Sequence, residues 1–277
     1  MSVQSATYKK LPISVCMISG AEAHRIGKAL ESVHSWASEI IVVLNQEVSD
    51  GTDSIAAGYR AKVYREPWKG HIAQKNSAAD KASQPWILGL DSDEVVSDPL
   101  REEFFRTLSD ARLTGTCSGF DFPRLSFFQG RWIRHGDWYP DHQLRLWKRG
   151  AAVWGGVNPH DRLILNGKKA RLRSNLLHYT GESIDKMISK IAPYSNDFVE
   201  NFRQSGKAPS VLDLGFRPFY RFFRAYILRL GFLDGWQGYF IAWSSAFAAA
   251  VRYSKTFAET QGEKPHNSVK ISEVKRD

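Results

Sequence analysis

Cysteine is scarce in this chain, with two among 277 residues. Cys16 lies in an apolar run and Cys117 in a Thr/Ser/Gly stretch, and neither has metal-ligand or framework spacing. That excludes a disulfide scaffold and a thiolate metal centre, and it suits reduced thiols in a cytoplasm. No Gly-x-Gly-x-x-Gly follows the first apolar run and no Walker loop occurs, so a dinucleotide-binding dehydrogenase and a P-loop NTPase both lack their phosphate cradle. Long apolar runs are missing too. The longest uncharged stretch, Gly235 to Val251, holds Gln237 and two serines and falls short of the about 20 apolar residues of a membrane span. Met1 to Lys10 is polar, and no secretory leader is read there. Acidic residues are in deficit: 29 Asp and Glu against 38 Lys and Arg give a net charge of +9, which attracts nucleic acid, an acidic membrane surface or phosphorylated sugars.

What is present is a 43% hydrophobic chain, enough for one sizeable core with an appended helical part. From Leu11 to about Leu108 short apolar runs alternate with helical patterns, the signature of βαβ units around a mostly parallel sheet. Ile13–Ser19, Glu39–Leu44, Ala61–Arg65 and Trp86–Leu90 read as strands; Ala21–Trp36, His71–Ala82 and Asp98–Leu108 read as helices. Ligands of such sheets bind beyond the carboxyl ends of the strands, which is where Ser19, Asn45 and Asp91 arrive.

The fourth apolar run, Trp86 to Leu90, leads straight into Asp91-Ser92-Asp93-Glu94. Mg²⁺ and Mn²⁺ prefer oxygen ligands and commonly take one or two protein carboxylates while substrate phosphates complete the shell. Acids one residue apart on a straight strand point to opposite faces, so Asp91 and Asp93 converge only if the chain turns at Ser92. The alternative is a loop and cap cluster ahead of the helix at Asp98.

Ile13-Ser14-Val15-Cys16-Met17-Ile18-Ser19, then Glu39-Ile40-Ile41-Val42-Val43, then Ser49-Asp50-Gly51-Thr52, then Gln74-Lys75-Asn76, then Trp86 to Glu94, resemble in order the family 2 glycosyltransferases of GT-A fold. Within them the chain is most similar to the lipopolysaccharide-core β-1,4-glucosyltransferase branch. The resemblance covers about Leu11 to Thr180. It implies a Rossmann-like α/β fold with a mostly parallel sheet flanked by helices, in a GT-A domain over 1–180 (nucleotide-sugar half 11–108, acceptor half 109–180); composition adds a helical, membrane-associating region over 181–259 and a charged, aperiodic, disordered tail over 260–277. It makes Asp91 and Asp93 the metal and diphosphate acids, with Asp93 the direct ligand. Ser19, Glu22, Asn45, Asp50, Gln74, Lys75, Asn76, Asp91 and Ser92 then lie along the nucleotide sugar. Asn45 stands where relatives carry an Asp and brings no charge to base recognition. Lys75 offsets phosphate charge, or is a solvated helix lysine.

The second half supplies the acceptor side. His135 to Leu146, with Trp138-Tyr139-Pro140-Asp141-His142-Gln143-Leu144-Arg145, resembles the W-Y-P-D-x-Q-x-R-L element of that branch, whose acid faces the acceptor hydroxyl. Inverting transfer needs one carboxylate to accept the acceptor proton while the sugar is attacked opposite the departing diphosphate. Asp141 is the choice for that base, Asp137 the alternative, and a structural role for both stays open. Arg145 suits bidentate grip of a diphosphate, or is a salt-bridge partner. Asn158-Pro159-His160-Asp161 occupies the place of a V-H-E element. Leu176 to Thr180 resembles the strand ending in H-Y, where His178 completes a metal shell or is a hydrogen-bonded core residue; His160 is a further candidate.

Beyond Thr180, Ser183–Gly206 reads as a helix, and Phe216–Arg229 interleaves aromatic rings with Arg217, Arg221, Arg224 and Arg229. That pattern fits a helix at an anionic membrane interface, single-stranded nucleic acid binding, or packing on the domain; the membrane is preferred. The expectation is an inverting glycosyltransferase dependent on Mg²⁺ or Mn²⁺, moving glucose from UDP-glucose to an inner-core heptose of lipopolysaccharide, peripheral at the inner face of the cytoplasmic membrane. Another lipid-linked, capsular or peptide acceptor is the alternative within catalysis; outside it stands a non-catalytic basic membrane- or nucleic-acid-binding module. A nucleotidyltransferase would need a Gly-rich basic loop after the first strand, and Ser19-Gly20-Ala21-Glu22-Ala23-His24-Arg25 has one Gly and an acid.

Overall fold

The computed structural model describes residues 10–157, 160–181, 183–204 and 210–262, with backbone alone at 157, 160 and 260–262. Asn158, Pro159, the His160 side chain and the tail beyond 262 lie outside the described residues. Two compact units are present, one of residues up to 133 together with 138–181, the other of 134–137 together with the chain after 181.

The first unit runs β1 (Leu11–Ser19), α1 (Ile26–Glu31), β2 (Ala37–Asn45), α2 (Thr52–Gly58), β3 (Lys62–Glu66), α3 (His71–Asp80), β4 (Trp86–Gly89), β5 (Glu94–Val96), α4 (Asp98–Ser109), α5 (Ala111–Thr116), β6 (Gly119–Phe128), β7 (Arg131–Ile133), β8 (Asp141–Lys148), β9 (Ala152–Val157), β10 (His160–Leu165), β11 (Lys169–Arg171) and β12 (Leu176–Tyr179). The main sheet has the order β3-β2-β1-β4-β8-β6-β12-β5, with β7 and β11 also paired to β6. β3, β2, β1 and β4 are parallel. β8 runs antiparallel to both β4 and β6, and β12 runs parallel to β6. The carboxyl ends of β1, β2, β4, β6 and β12 therefore open toward the same edge as the amino end of β8.

Period-two alternation on the central strands explains the layers. Ile13, Val15 and Met17 of β1 and Ile40 and Val42 of β2 face α1 and α4, where Leu30, Trp36, Leu100 and Phe104 complete a dry core. Cys16, Ile41 and Val43 face the other way, toward Ala78 of α3 and Trp147 and Trp154. The hairpin β9–β10 is a separate two-stranded sheet on that second side.

The helix expected over Ala21–Trp36 is regular only over Ile26–Glu31. Its opening amides go elsewhere: Glu22 N–H donates to Thr52 Oγ1 at 3.0 Å and Ala23 N–H to Asp50 Oδ2 at 3.0 Å. α4 starts where Ser97 and Pro99 direct it, with Ser97 Oγ accepting from Leu100 N–H as an N-cap does.

The second unit is helical after 181: α6 (Ile184–Ser189), α7 (Ile191–Gln204), α8 (Val211–Phe223), a π-helical turn Arg224–Leu228, a short 3-10 turn Gly231–Asp234 and α9 (Gly235–Gly262). Among the described residues no helix is long and apolar enough to cross a membrane. Asp234 is buried and accepts the backbone N–H groups of Arg134 and His135 at 2.9 and 2.7 Å.

Candidate active site

The chain leaves β4 and reverses through Asp91 to Glu94. Glu94 N–H donates to Asp91 O at 3.0 Å, and Asp91 N–H donates to Glu94 Oε2 at 3.0 Å. The turn at Ser92 frees Asp91 and Asp93 from the opposed faces of a strand and gives each its own surroundings.

Asp91 sits between two cations, 2.8 Å from Arg145 Nη2 and 3.2 Å from Lys75 Nζ. Burial alone would raise its pKa, but the guanidinium and the ammonium outweigh that and hold it well below the usual carboxylate range. Burial works against the Arg145 charge as well, and the facing Asp91 and Glu94 carboxylates more than restore it. Glu94 is fully buried and lies 3.3 Å from Arg145 and 3.4 Å from Arg124. Arg145 also lies over the Trp154 ring at 5.3 Å, with Lys75 at 4.5 Å from the same ring. Among the described residues the Arg145 Nε and Nη1 are buried with no hydrogen-bond partner, so the fork has donors to offer an anion.

Asp93 faces different groups. His178 Nε2 lies 3.5 Å from its Oδ2, as does Arg25 Nη1, and Tyr179 N–H holds its carbonyl at 2.8 Å. His178 Nδ1 lies 3.3 Å from Ser126 Oγ, a contact that orients the ring. Among the described residues no group of three His, Cys, Asp or Glu side chains could hold a metal ion by itself. An Asp–His pair fits a cation whose remaining ligands come from phosphate and water; Asp91, with both neighbours cationic, fits that task less well.

Asp141 opens β8 opposite Arg124 of β6. Arg124 contacts its Oδ2 at 2.9 and 2.8 Å, and Gln143 Nε2 donates to Oδ1 at 2.7 Å. Asp137, the other candidate base, belongs to the second unit, where Arg224, Arg229 and Arg221 surround it at 2.7, 3.3 and 3.4 Å.

The nucleotide-side candidates divide. Lys75 bridges Asp91 and Asp161, the latter at 2.8 Å. Asn76 gives both ends of its amide to the backbone of Trp154, which makes it a clamp on β9. Gln74 is buried, accepts from Lys69 N–H at 3.3 Å and, among the described residues, has its Nε2 without a partner. Gly70, just before α3, has φ +87° and ψ 157°, a conformation essentially confined to glycine. Asp50 accepts from Thr52 and Ala23 and so pins the loop after β1; Glu22 of that loop pairs with Arg25. Ser19 donates to Gly20 O at 3.0 Å. Ser92 is buried in the acidic turn, and Asn45 closes β2.

Arg25, Arg124 and Trp154 were not singled out from the sequence. Arg124 carried a usable signal: it is a lone cation in the apolar run Gly119–Phe128. Arg25 and Trp154 carried none, since each meets its partners only through the fold.

Residues 14–165 match the glycosyl transferase family 2 model, more than half of the chain. The chain belongs to glycosyltransferase family 2. This glycosyltransferase is 30% identical over 256 residues to an uncharacterized glycosyltransferase of Rickettsia bellii (strain RML369-C), covering 88% of this chain and 85% of that one. The lipopolysaccharide core biosynthesis glycosyltransferase LpsC of Rhizobium meliloti (strain 1021) is 28% identical over 255 residues, covering 90% of this chain and 93% of its own. Among solved structures, the mannosyltransferase PcManGT from Pyrobaculum calidifontis in complex with GDP-Man and Mn²⁺ aligns with a TM-score of 0.48 at 16% identity, over 96% of this chain and 85% of that one. The glycosyltransferase has a mixed α/β fold built on a ten-stranded sheet of parallel and antiparallel strands.

Proposed function

We propose that this glycosyltransferase moves glucose from UDP-glucose to a heptose of the lipopolysaccharide inner core, with inversion, at the inner face of the cytoplasmic membrane. The observation that carries the reading is the meeting, at one edge of the sheet, of the Asp93–His178 pair, the Lys75–Arg145 cation pair and the Arg124-held Asp141. Likeness to LpsC across nearly the whole chain supports the class of acceptor.

Asp93 and His178 are the residues that would hold Mg²⁺ or Mn²⁺. A bound divalent cation would supply positive charge against the leaving diphosphate. Arg145 and Lys75 present fixed positive charge to the same phosphates; on donor binding they exchange Asp91 and Asp161 for phosphate oxygens as partners. Asp141 accepts the proton of the acceptor hydroxyl as its oxygen bonds to the anomeric carbon. The bond from that carbon to the diphosphate oxygen breaks, and its electron pair leaves with UDP. Arg124 and Gln143 fix the direction of the Asp141 carboxylate, leaving the proton transfer to a preorganised oxygen.

The test is transfer of labelled glucose from UDP-glucose to heptose-terminated lipopolysaccharide, with calorimetry of UDP-glucose, UDP-galactose and GDP-mannose in Mn²⁺ and in chelator. Metal-dependent binding and transfer of glucose, lost in Asp93→Ala and Asp141→Ala, supports the proposal. Full transfer by folded forms of both variants overturns its mechanism, and preference for another donor overturns its substrate.

A further inference from the structure

We propose that the aromatic face of α8 and α9, with the arginines gathered on Asp137, docks this protein on the anionic phospholipid headgroups of a bilayer. The proposal stands apart from the transfer chemistry, because every side chain in it belongs to the helical unit.

α8 buries no residue fully, and of its rings Phe216, Phe219, Tyr220 and Phe223 are exposed while Phe222 is half-buried. Leu212, Phe216, Phe219 and Phe223 are 78, 64, 66 and 39% exposed, at steps of four, three and four that place them on one helix face. α9 repeats the arrangement with Trp236, Tyr239, Trp243 and Phe247, all about half exposed. The two helices meet beside these stripes: half-buried Phe222 of α8 lies 6.1 Å from Tyr239 and 4.9 Å from Trp243, and Tyr226 of the π-helical turn lies 5.6 Å from Tyr239, between ring centroids. Ile227, Leu228 and Leu230 extend the exposed apolar surface. A contiguous patch of this kind on a soluble protein marks an interaction site.

Charge selects the occupant. Arg221, Arg224 and Arg229 converge on the single carboxylate of Asp137, which leaves two positive charges in excess on the same helical unit as the rings. A second copy would bring the same positive cluster to the contact. Stacked bases would leave the aliphatic groups of Val211, Leu212, Ile227 and Leu228 unburied. A lipid surface satisfies both parts, with rings and aliphatic chains at the acyl boundary and guanidinium groups among the phosphates.

The experiment is flotation of the full chain with vesicles of phosphatidylcholine alone and of phosphatidylcholine with phosphatidylglycerol. Flotation with the anionic vesicles is expected. It falls about tenfold in Phe216→Ser/Phe219→Ser through lost apolar burial, and falls with added salt. The substituted rings are exposed, and circular dichroism of the variant checks that the helices persist. On the unsubstituted chain, brominated lipid quenches tryptophan fluorescence, and Trp236→Phe/Trp243→Phe removes that quenching. Failure to float, equal flotation with neutral vesicles, or quenching unchanged by Trp236→Phe/Trp243→Phe overturns the proposal. So does a dimer in solution that Phe216→Ser/Phe219→Ser dissociates.

Discussion

Arg124 and Asp141 are Cα partners across the β6–β8 ladder, and the guanidinium reaches a single carboxylate oxygen, Oδ2, from both Nε and Nη2. Gln143 takes the other oxygen. A carboxylate gripped in this way keeps one orientation, which a general base requires before its substrate arrives. Asp141→Asn preserves the shape and keeps one oxygen for Arg124, while its NH2 can be met only by the turned amide oxygen of Gln143; the proton acceptor is removed, so kcat is expected to fall about 10²- to 10⁴-fold with donor affinity unchanged. Arg124→Gln loosens the orientation and lowers kcat less. Steady-state transfer alongside donor calorimetry separates the two effects.

Asp93 and His178 make a second prediction. Asp93→Asn weakens metal-dependent donor binding at least about tenfold, a loss of about 1.4 kcal/mol, and His178→Ala does so to a smaller degree. Binding measured in chelator should be the same in all three proteins. If Asp93→Asn left metal-dependent binding untouched, the assignment of the cation would move away from this pair.

Beyond its proposed role at the phosphates, Arg145 stabilises the fold through Asp91 and Glu94. Removing it by Arg145→Met leaves Asp91 and the buried Glu94 without their shared cation, and breaking such a pair costs about 3–5 kcal/mol. Arg145→Met combined with Asp91→Asn should recover part of that loss, because it removes one of the two carboxylates left with a single cation, Lys75 for Asp91 and Arg124 for Glu94. Urea unfolding of the two variants measures the difference, and donor binding stays impaired in both.

At the amino ends of the strands, Glu39 ties the sheet edge together. Its side chain is buried and accepts from Ser14, from Lys62 at 2.7 Å and from Ser83 N–H and Oγ at 2.8 and 3.0 Å. Burial pushes its pKa up, and these donors outweigh burial to bring it down to about 2. A folded-state pKa below the unfolded value means that the stabilisation is complete above the unfolded carboxyl pKa of about 4.3 and is lost as pH falls from there through about 2. Glu39→Gln should therefore lower stability by about 1.5–3 kcal/mol at neutral pH and flatten the acid limb of a thermal-melting profile.

Much of the site was legible because apolar strand runs stop abruptly at polar residues. Trp86 to Gly89 delivers Asp91, and Leu176-Leu177 delivers His178. The cations around them were less so. Arg124 meets Asp141 only through the β6–β8 register, which shifts between Phe120 and Asp121, and a slip of one residue reverses the face of every side chain. Arg25 reaches Asp93, a residue distant in sequence, from a loop whose amides Asp50 and Thr52 have taken. The same two side chains fix the turn ahead of α1, an effect that helical periodicity cannot register. The helices after Thr180 were visible as periodic runs, whereas the exposure of their rings depends on packing and emerges from the structure.

The β9–β10 ribbon has two strands, and an isolated ribbon of that size has little stability of its own in water. It borrows order from α3: Asn76 clamps the Trp154 backbone in both directions, and Lys75 joins Asp161 while lying over the indole. Whatever draws Lys75 toward phosphate therefore loosens one of the ribbon's fastenings and leaves the Asn76 clamp to hold it. Amide exchange in residues 152–156 should then gauge donor occupancy, quickening when the proposed nucleotide-sugar donor is added, while the parallel core of β1, β2 and β4 keeps its rate.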